Sequence, residues 1–369
     1  MRVVVIGAGV IGAAVAEELA VRGAEVTVLD MRSPGRGASQ ASAGALVPYI
    51  EAHEDTPLLS LGTRSLAMYD AFIDRVVSRS GLRVEYSRPG TIDVGLDDED
   101  EAKLRASKVW LDARGVRNEW VDGAGARSLE PALTLTARCA LVVPEHGLVG
   151  VSALVKALVQ SARAGGATFE APVEAASVTP EPNGVKIMTM DAGERTYEAD
   201  AVVVAAGSWT RRVRVAGIDN PPVRPIRGQL LHLSWPGVER PSRIVWGPRC
   251  YAVPWSDGSL LVGATVEDVG FDETWTVSGV HDLTKAAIEL LPKTLHASID
   301  AVRVGLRPAT PDNLPAIGPF AKAPRVIAAT GHYRNGVLLA PLTAKLVADV
   351  VLNGVSDPLL SLTSPDRFR

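Results

Sequence analysis

An α/β fold of two interleaved parts is predicted by three observations. A short apolar run at residues 3–6 ends at Gly7, is followed by helical spacing over residues 10–22, and gives way to a second apolar run at 26–29. Fully apolar runs of the same kind return at 201–205 and 326–329, long after the chain has left this pattern. Between residues 223 and 266 the pattern changes to short strands divided by turns at Pro248 and Asp257-Gly258. Runs without alternation read as parallel strands covered on both faces, whereas short runs between turn signals read as antiparallel ones.

The elements follow in order. Residues 3–6, 10–22 and 26–29 form one βαβ unit, with Gly23 placed as the helix C-cap and Asp30 closing the second strand. Residues 32–47 are rich in Gly, Ser and Ala and read as a small-sided loop. Residues 57–78 regain helical spacing through Leu58, Leu61, Leu66, Met68, Tyr69, Phe72 and Val76. From 84 to 143, strand-like runs at 91–94 and 140–143 flank charged helical stretches, the pattern of an insertion. A helix near 152–164 and a strand near 167–170 return to the α/β style, and Gly207 closes the strand at 201–205. The turn-rich stretch supplies strands at 228–233, 244–246, 251–253 and 260–262. The strand at 326–329, a glycine-rich turn and a helix over 338–352 complete the order. A chain that leaves one domain and returns twice places residues 1–80, 145–220 and 300–369 in one α/β domain. Residues 81–144 and 221–299 then form an α+β domain built on the antiparallel sheet.

Composition narrows the partners. The 369 residues exceed one compact core, and 47% hydrophobic with 22% charged residues is ordinary for a globular chain. A net charge of −4 implies no basic face, so nucleic acid is excluded as a partner. Cys139 and Cys250 lie outside any CxxC and read as buried thiols. No metal site is predicted: His53 and His146 lie in loops without ligand spacing and read as solvated. The apolar N-terminus resembles a signal peptide, but Glu17 and Glu18 interrupt it. No uninterrupted apolar run reaches bilayer length, and a cytoplasmic location is the expectation. A homo-oligomer is compatible with all of this.

Gly7-Ala8-Gly9-Val10-Ile11-Gly12 is a GxGxxG between a strand and a helix. Gly7 permits the tight turn, Gly9 lets a phosphate approach the backbone, and Gly12 lets the helix pack on the strand. The helix N-terminus then offers free N–H groups and a positive dipole end to a pyrophosphate. Gly12, Ala16 and Ala20 recur every four residues, giving one small-sided helix face. Asp30 stands where a carboxylate accepts from a ribose hydroxyl. A second cluster, Gly123-Ala124-Gly125, has no apolar strand before it and reads as a solvated turn. One dinucleotide site is therefore expected, and either the substrate itself delivers the hydride to a flavin or the cofactor is NAD.

Three further stretches favour a flavin: Gly37 to Gly44, small enough to lie against a large flat ring; Val202 to Trp209, a strand ending in a glycine turn; and Gly331-His332-Tyr333-Arg334-Asn335-Gly336-Val337 before the last helix. Together with Tyr251-Ala252-Val253-Pro254, Gly263-Ala264-Thr265 and Gly305 to Asp312, they resemble the D-amino-acid oxidase superfamily of flavoproteins. Within it, the chain is most similar to the glycine oxidase group, which serves thiamine biosynthesis. The resemblance covers nearly the whole chain and implies an FAD-binding, Rossmann-like domain interleaved with a substrate domain. It implies that Gly7, Gly9, Val10, Ile11 and Gly12 hold the pyrophosphate, and Asp30 with Met31 the adenosine ribose. Ala38, Ser39, Ala43, Gly44 and Ala45 would border the diphosphate and isoalloxazine, and Val173 the adenine. Gly207 and Trp209 would pack near the ribityl chain, and His332, Tyr333, Arg334, Asn335, Gly336, Val337 and Leu338 would wrap the pyrimidine edge. Some relatives tether the flavin through a cysteine in the stretch that here reads Gly305-Leu306-Arg307, so non-covalent FAD is expected.

The same resemblance implies that Arg307 binds the substrate carboxylate, helped by Tyr251, with Arg334 close by. A planar guanidinium suits this because it makes two parallel charge-assisted bonds, fixing the Cα–H bond toward the flavin N5. The expected reaction is oxidation of a small amino acid to its imine, with O2 or another acceptor taking the electrons. No base is evident, and His332 reads as a packing residue. Ala45 and the loop 52–57 are expected to shape the pocket mouth.

Overall fold

A computed structural model of the chain describes residues 1–51, 56–190, 193–237 and 239–368. Its first large sheet has six strands in the order Ala316–Phe320, Ala323–Thr330, Ala201–Val204, Arg2–Ile6, Glu25–Leu29 and Thr168–Glu170. Every pairing is parallel except the hairpin of its first two strands. Both faces are covered, which is why the strands read as unbroken apolar runs. Val3 and Val5 pack into a core shared with the helices Val10–Val21, Pro57–Ser80, Val151–Ala164 and Gly336–Asn353. Val4 and Ile6 face the other way, into a core under a four-stranded sheet. Glu17, which breaks the apolar N-terminus, is buried, and its carboxylate accepts from Arg75 Nη2 and Ser161 Oγ, both at 2.9 Å, tying three helices together.

That four-stranded sheet (Thr196–Ala199, Gly184–Thr189, Ala175–Glu181, Arg214–Val215) is absent from the sequence expectation. Its strands mix Lys, Thr and Glu with apolar residues and carry Pro180, so their period-2 signal is weak. The last helix, Gly336–Asn353, is 18 residues long and apolar enough by composition to cross a bilayer. In the fold it is a core helix, packed against Val10–Val21 and Pro57–Ser80.

The second large sheet has eight strands in the order Ser298–Ala309, Arg224–Ser234, Ser259–Gly263, Tyr251–Pro254, Ile244–Trp246, Thr91–Gly95, Cys139–Val143 and Glu119–Asp122. The stretch read as an insertion thus completes the sheet begun by the turn-rich stretch. One pairing departs from the expected antiparallel pattern: Ile244–Trp246 runs parallel to Thr91–Gly95. The expected domain boundary at 300 falls inside Ser298–Ala309, which pairs with Arg224–Ser234 along its length.

Two local expectations are corrected. Gly123-Ala124-Gly125 is not a solvated turn but the start of the helix Gly123–Leu129, with the Asp122 carboxylate accepting from the Gly125 N–H at 2.8 Å. Gly123 is buried, and a side chain there would overlap the Ala137 carbonyl, so the position takes glycine. His146 is not solvated but wholly buried, with Nδ1 2.7 Å from Thr91 Oγ1 and its ring stacked on Tyr49. Burial pushes its pKa down to about 3, so it is neutral. His53 and residues 52–55 of the expected mouth loop lie outside the described residues. Cys139 and Cys250 are both buried, and burial pushes the Cys250 thiol up to about 12.

Candidate active site

One cleft is lined by both large sheets: by the C-terminal ends of the parallel strands on one side, and by the strands carrying Tyr251 and Arg307 on the other. In α/β sheets ligands settle at such strand ends, where helix N-termini and loops converge. Gly7 has φ +107°, and its N–H donates to the Leu29 carbonyl at 2.8 Å. A side chain at Gly7 would overlap the Ala205 carbonyl on the neighbouring strand. Gly9 ends the turn, and the helix behind it has no capping side chain of its own. Ser39 fills that role from a distance: its Oγ accepts from the Val10 N–H at 2.9 Å. Asp30 accepts from the N–H groups of Ala8 at 2.6 Å and Arg32 at 2.7 Å, clasping the glycine turn to the end of the second strand. Burial nevertheless holds its pKa above the ordinary carboxylate value.

Of the residues expected to contact a cofactor, Gly12 alone does not line the cleft. It faces inward, where a side chain would overlap the Gly7 carbonyl oxygen. Its task is packing, which keeps the turn tight enough for Gly7 and Gly9 to reach the cleft. The loop lies where a flat group needs room: Ala38, Ser39, Ala43, Gly44 and Ala45 all border the space. Gly44, at φ +77°, sits so close to the Val149 carbonyl that a side chain would overlap it. Val173, Met31 and Gly207 line the cleft as well. So does Trp209, whose ring carries the Arg32 guanidinium at 4.6 Å. Arg32 in turn makes a bidentate pair with Glu273 at 2.7 and 3.0 Å.

The segment from His332 to Leu338 borders the cleft and opens the last helix. Tyr333 has φ +49°, and its N–H donates to the Pro308 carbonyl at 2.8 Å, fixing this turn beside Arg307. The His332 ring is turned into the core, with Nε2 3.0 Å from Thr343 Oγ1, and burial lowers its pKa to about 3. A histidine so placed is neutral near pH 7 and its ring is engaged with Thr343.

Arg307 and Tyr251 reach the same cleft from strands of the eight-stranded sheet that are separated by two others. Arg307 Nη1 donates to the Thr265 carbonyl at 2.9 Å and lies 3.4 Å from the Arg227 carbonyl. The Tyr251 ring stacks on Trp246 with centroids 4.7 Å apart. Arg334 also borders the cleft and is more exposed. The carboxylates in the lining are Asp30 and Glu174, both on the side of the six-stranded sheet. Sequence reasoning did not single out Arg32, Arg212 or Gly228, which also line the space. Arg32 stands two residues after Asp30, whereas Gly228 stands inside the strand Arg224–Ser234 and Arg212 ends a short helical turn, and nothing in the local sequence of these last two marks them. The backbone cradle at Gly7 and Gly9, the helix N-terminus behind it and the small-sided loop fit the diphosphate and flat ring system of a flavin dinucleotide.

Residues 2–350 match the family described as FAD dependent oxidoreductase. The chain is 34% identical over 362 residues to the bifunctional protein ThiO/ThiG of Nostoc sp., covering 97% of this chain and 54% of that one. It thus spans about half the length of the bifunctional relatives it matches. It is 32% identical over 350 residues to the glycine oxidase of Geobacillus kaustophilus, covering 95% and 92% of the two chains. The crystal structure of glycine oxidase from that organism superposes with a TM-score of 0.94, covering 99% of each chain. The iminodiacetate oxidase of Chelativorans sp. BNC1 superposes with a TM-score of 0.88 at 26% identity, also covering 99% of each.

Proposed function

The chain belongs to the FAD dependent oxidoreductase family, and from that premise we propose that it oxidises the amine of a small amino acid, such as glycine, sarcosine or a small D-amino acid, to the imine. The observation that carries this reading is the convergence of Arg307 and Tyr251 on the cleft that the fingerprint turn opens. Gly7, Gly9, Val10, Ile11, Asp30 and Met31 would hold the dinucleotide end of FAD. The loop from Ala38 to Ala45, Val173, Gly207, Trp209 and the segment His332 to Leu338 would border the rest. FAD supplies, when bound, the acceptor for the two electrons of the Cα–H bond.

The chain's own residues do the rest by placement. The Arg307 fork holds the substrate carboxylate, and the Tyr251 hydroxyl adds a donor to it. Fixing one end of so small a molecule lowers the entropic part of the barrier. The amine must be neutral when the Cα hydrogen leaves. With Asp30 and Glu174 on the opposite wall and His332 held neutral in the core, that proton goes to solvent. The supply of an imine to thiamine synthesis, implied by the resemblance, belongs to the same proposal.

Anaerobic mixing with a panel of amino acids, both enantiomers included, tests the reading by the loss of flavin colour. Bleaching by glycine, sarcosine or a small D-amino acid supports it; a flavin that no amine reduces refutes it. Peroxide yield in air against dye reduction then separates O2 from a quinone or protein acceptor.

A further inference from the structure

Arg307 does not stand out from its strand; it reclines across the neighbouring one. In the pairing of Arg224–Ser234 with Ser298–Ala309, Ile226 is opposite Arg307 and Gly228 is opposite Gly305. A Cβ built on Gly228 would overlap three atoms of the Arg307 guanidinium: Cζ, Nη1 and Nη2. A Cβ on its partner Gly305 would lie 2.8 Å from the Ala41 Cβ of the small-sided loop. One cross-strand pair of glycines therefore gives room to the guanidinium on one strand and to the cofactor loop on the other.

The carbonyls that receive Arg307 are themselves fixed. The Arg227 carbonyl also accepts from the Glu267 N–H at 3.0 Å, and the Arg227 N–H donates to the Glu267 carbonyl at 2.8 Å. The Glu267 carboxylate accepts from Arg227 Nε at 3.1 Å, from Gln229 Nε2 at 2.8 Å and from the Thr265 hydroxyl. Arg227 and Gln229 are buried. The Glu267 carboxylate thus locks the segment bearing the Thr265 carbonyl onto the strand that bears Gly228.

We propose that Gly228 and Glu267 are positioning residues for Arg307: Gly228 is the seat of the guanidinium, and Glu267 is the latch that fixes its acceptor carbonyls. This rests on the reading of Arg307 as the carboxylate anchor. A methyl at Gly228 meets the far end of a flexible side chain rather than backbone, so it displaces the guanidinium and leaves the sheet intact. The substrate carboxylate then loses its aligned fork, while the flavin stays bound.

The test uses the flavin-loaded protein with Gly228→Ala, Glu267→Gln, Arg307→Ala and the Gly228→Ala/Arg307→Ala double variant. Flavin content, kcat and KM for the amino acid that bleaches the flavin fastest, and the Kd of acetate from flavin difference spectra are measured. Gly228→Ala should keep its flavin and raise both KM and the acetate Kd on the order of tenfold, with a smaller change in kcat. Glu267→Gln should move both in the same direction by less. On the Arg307→Ala background, Gly228→Ala should add no more than about twofold, because the residue it displaces is gone. The proposal is overturned if Arg307→Ala weakens acetate binding and Gly228→Ala does not, or if the two losses simply multiply. If Arg307→Ala itself leaves acetate binding unchanged, the anchor reading fails and the seat goes with it. Where Gly228→Ala yields no folded protein, Glu267→Gln decides: an unchanged acetate Kd in that variant overturns the proposal.

Discussion

The two walls of the cleft are made from different materials. On the six-stranded side the fingerprint turn brings main chain to the cleft: Gly7, Gly9 and the first turn of the helix Val10–Val21, drawn together by a carboxylate that grips two backbone N–H groups. On the eight-stranded side two long side chains cross the sheet, and each lies over a glycine of the next strand, Arg307 over Gly228 and Tyr251 over Gly263. A dinucleotide here would be held by the path of the backbone, and an added methyl at Gly7 strikes the Ala205 peptide group, which cannot move. On the proposed reading one guanidinium would hold a small amino acid, so a methyl at Gly228 would move a side chain and spare the fold. The first wall should govern occupancy by FAD and the second turnover.

The largest effect expected is on the second wall. Arg307→Ala should retain FAD yet lose about 2–5 kcal/mol of transition-state stabilisation, read from kcat/KM; a variant isolated without flavin would break the contrast between the walls. Next comes the first wall. Gly12→Ala forces a side chain against the Gly7 carbonyl, and overpacking of this kind costs about 1–3 kcal/mol. It should appear as a lower flavin-to-protein absorbance ratio and a lower Tm, with kcat per bound flavin unchanged.

A third measurement sharpens the assignment of His332. Its folded pKa is about 3 against an ordinary value of 6.5. As pH falls below 6.5 the unfolded chain takes up a proton that the native state refuses. The stability tied to this ring is therefore whole above 6.5 and declines toward pH 3. Urea unfolding of the wild type should lose about 1.4 kcal/mol per pH unit over that range relative to His332→Gln. If that substitution instead removed a limb from the pH profile of kcat/KM, the ring would belong to the chemistry. The smallest effect is expected for Ser39→Ala, which uncaps the Val10 N–H. A cost of about 0.5–2 kcal/mol should show as faster FAD loss on dilution, reversed by added FAD.

The same division decides how much of the molecule could be read from its residues. The first wall is local: strand, glycine turn, helix and Asp30 lie within thirty positions, and their spacing carries the geometry. The unbroken apolar runs at 201–205 and 326–329 found their places in the sheet because burial on both faces leaves no other pattern. The second wall is assembled from distant pieces. Arg307 and Tyr251 came from a family resemblance, and nothing local predicts that Gly228 lies under a guanidinium nearly eighty residues away in the chain. A glycine inside a strand reads only as a weak point or a bulge. His146 is hidden for a related reason: a turn that looks exposed in sequence is covered by Tyr49 and Thr91 from other elements. The sheet at 175–199 escaped because its strands are half exposed and mixed in character.

The helix Gly336–Asn353 begins at the cleft and continues through the main core, where its side chains interlock with those of Val10–Val21 and Pro57–Ser80. Loosening the core therefore disturbs the rim of the binding space, and filling that space braces the core. Thermal resistance and prosthetic-group content should thus rise and fall as one quantity, with the melting temperature climbing as free flavin is added. A preparation partly stripped of colour would melt as two populations rather than as one softened protein.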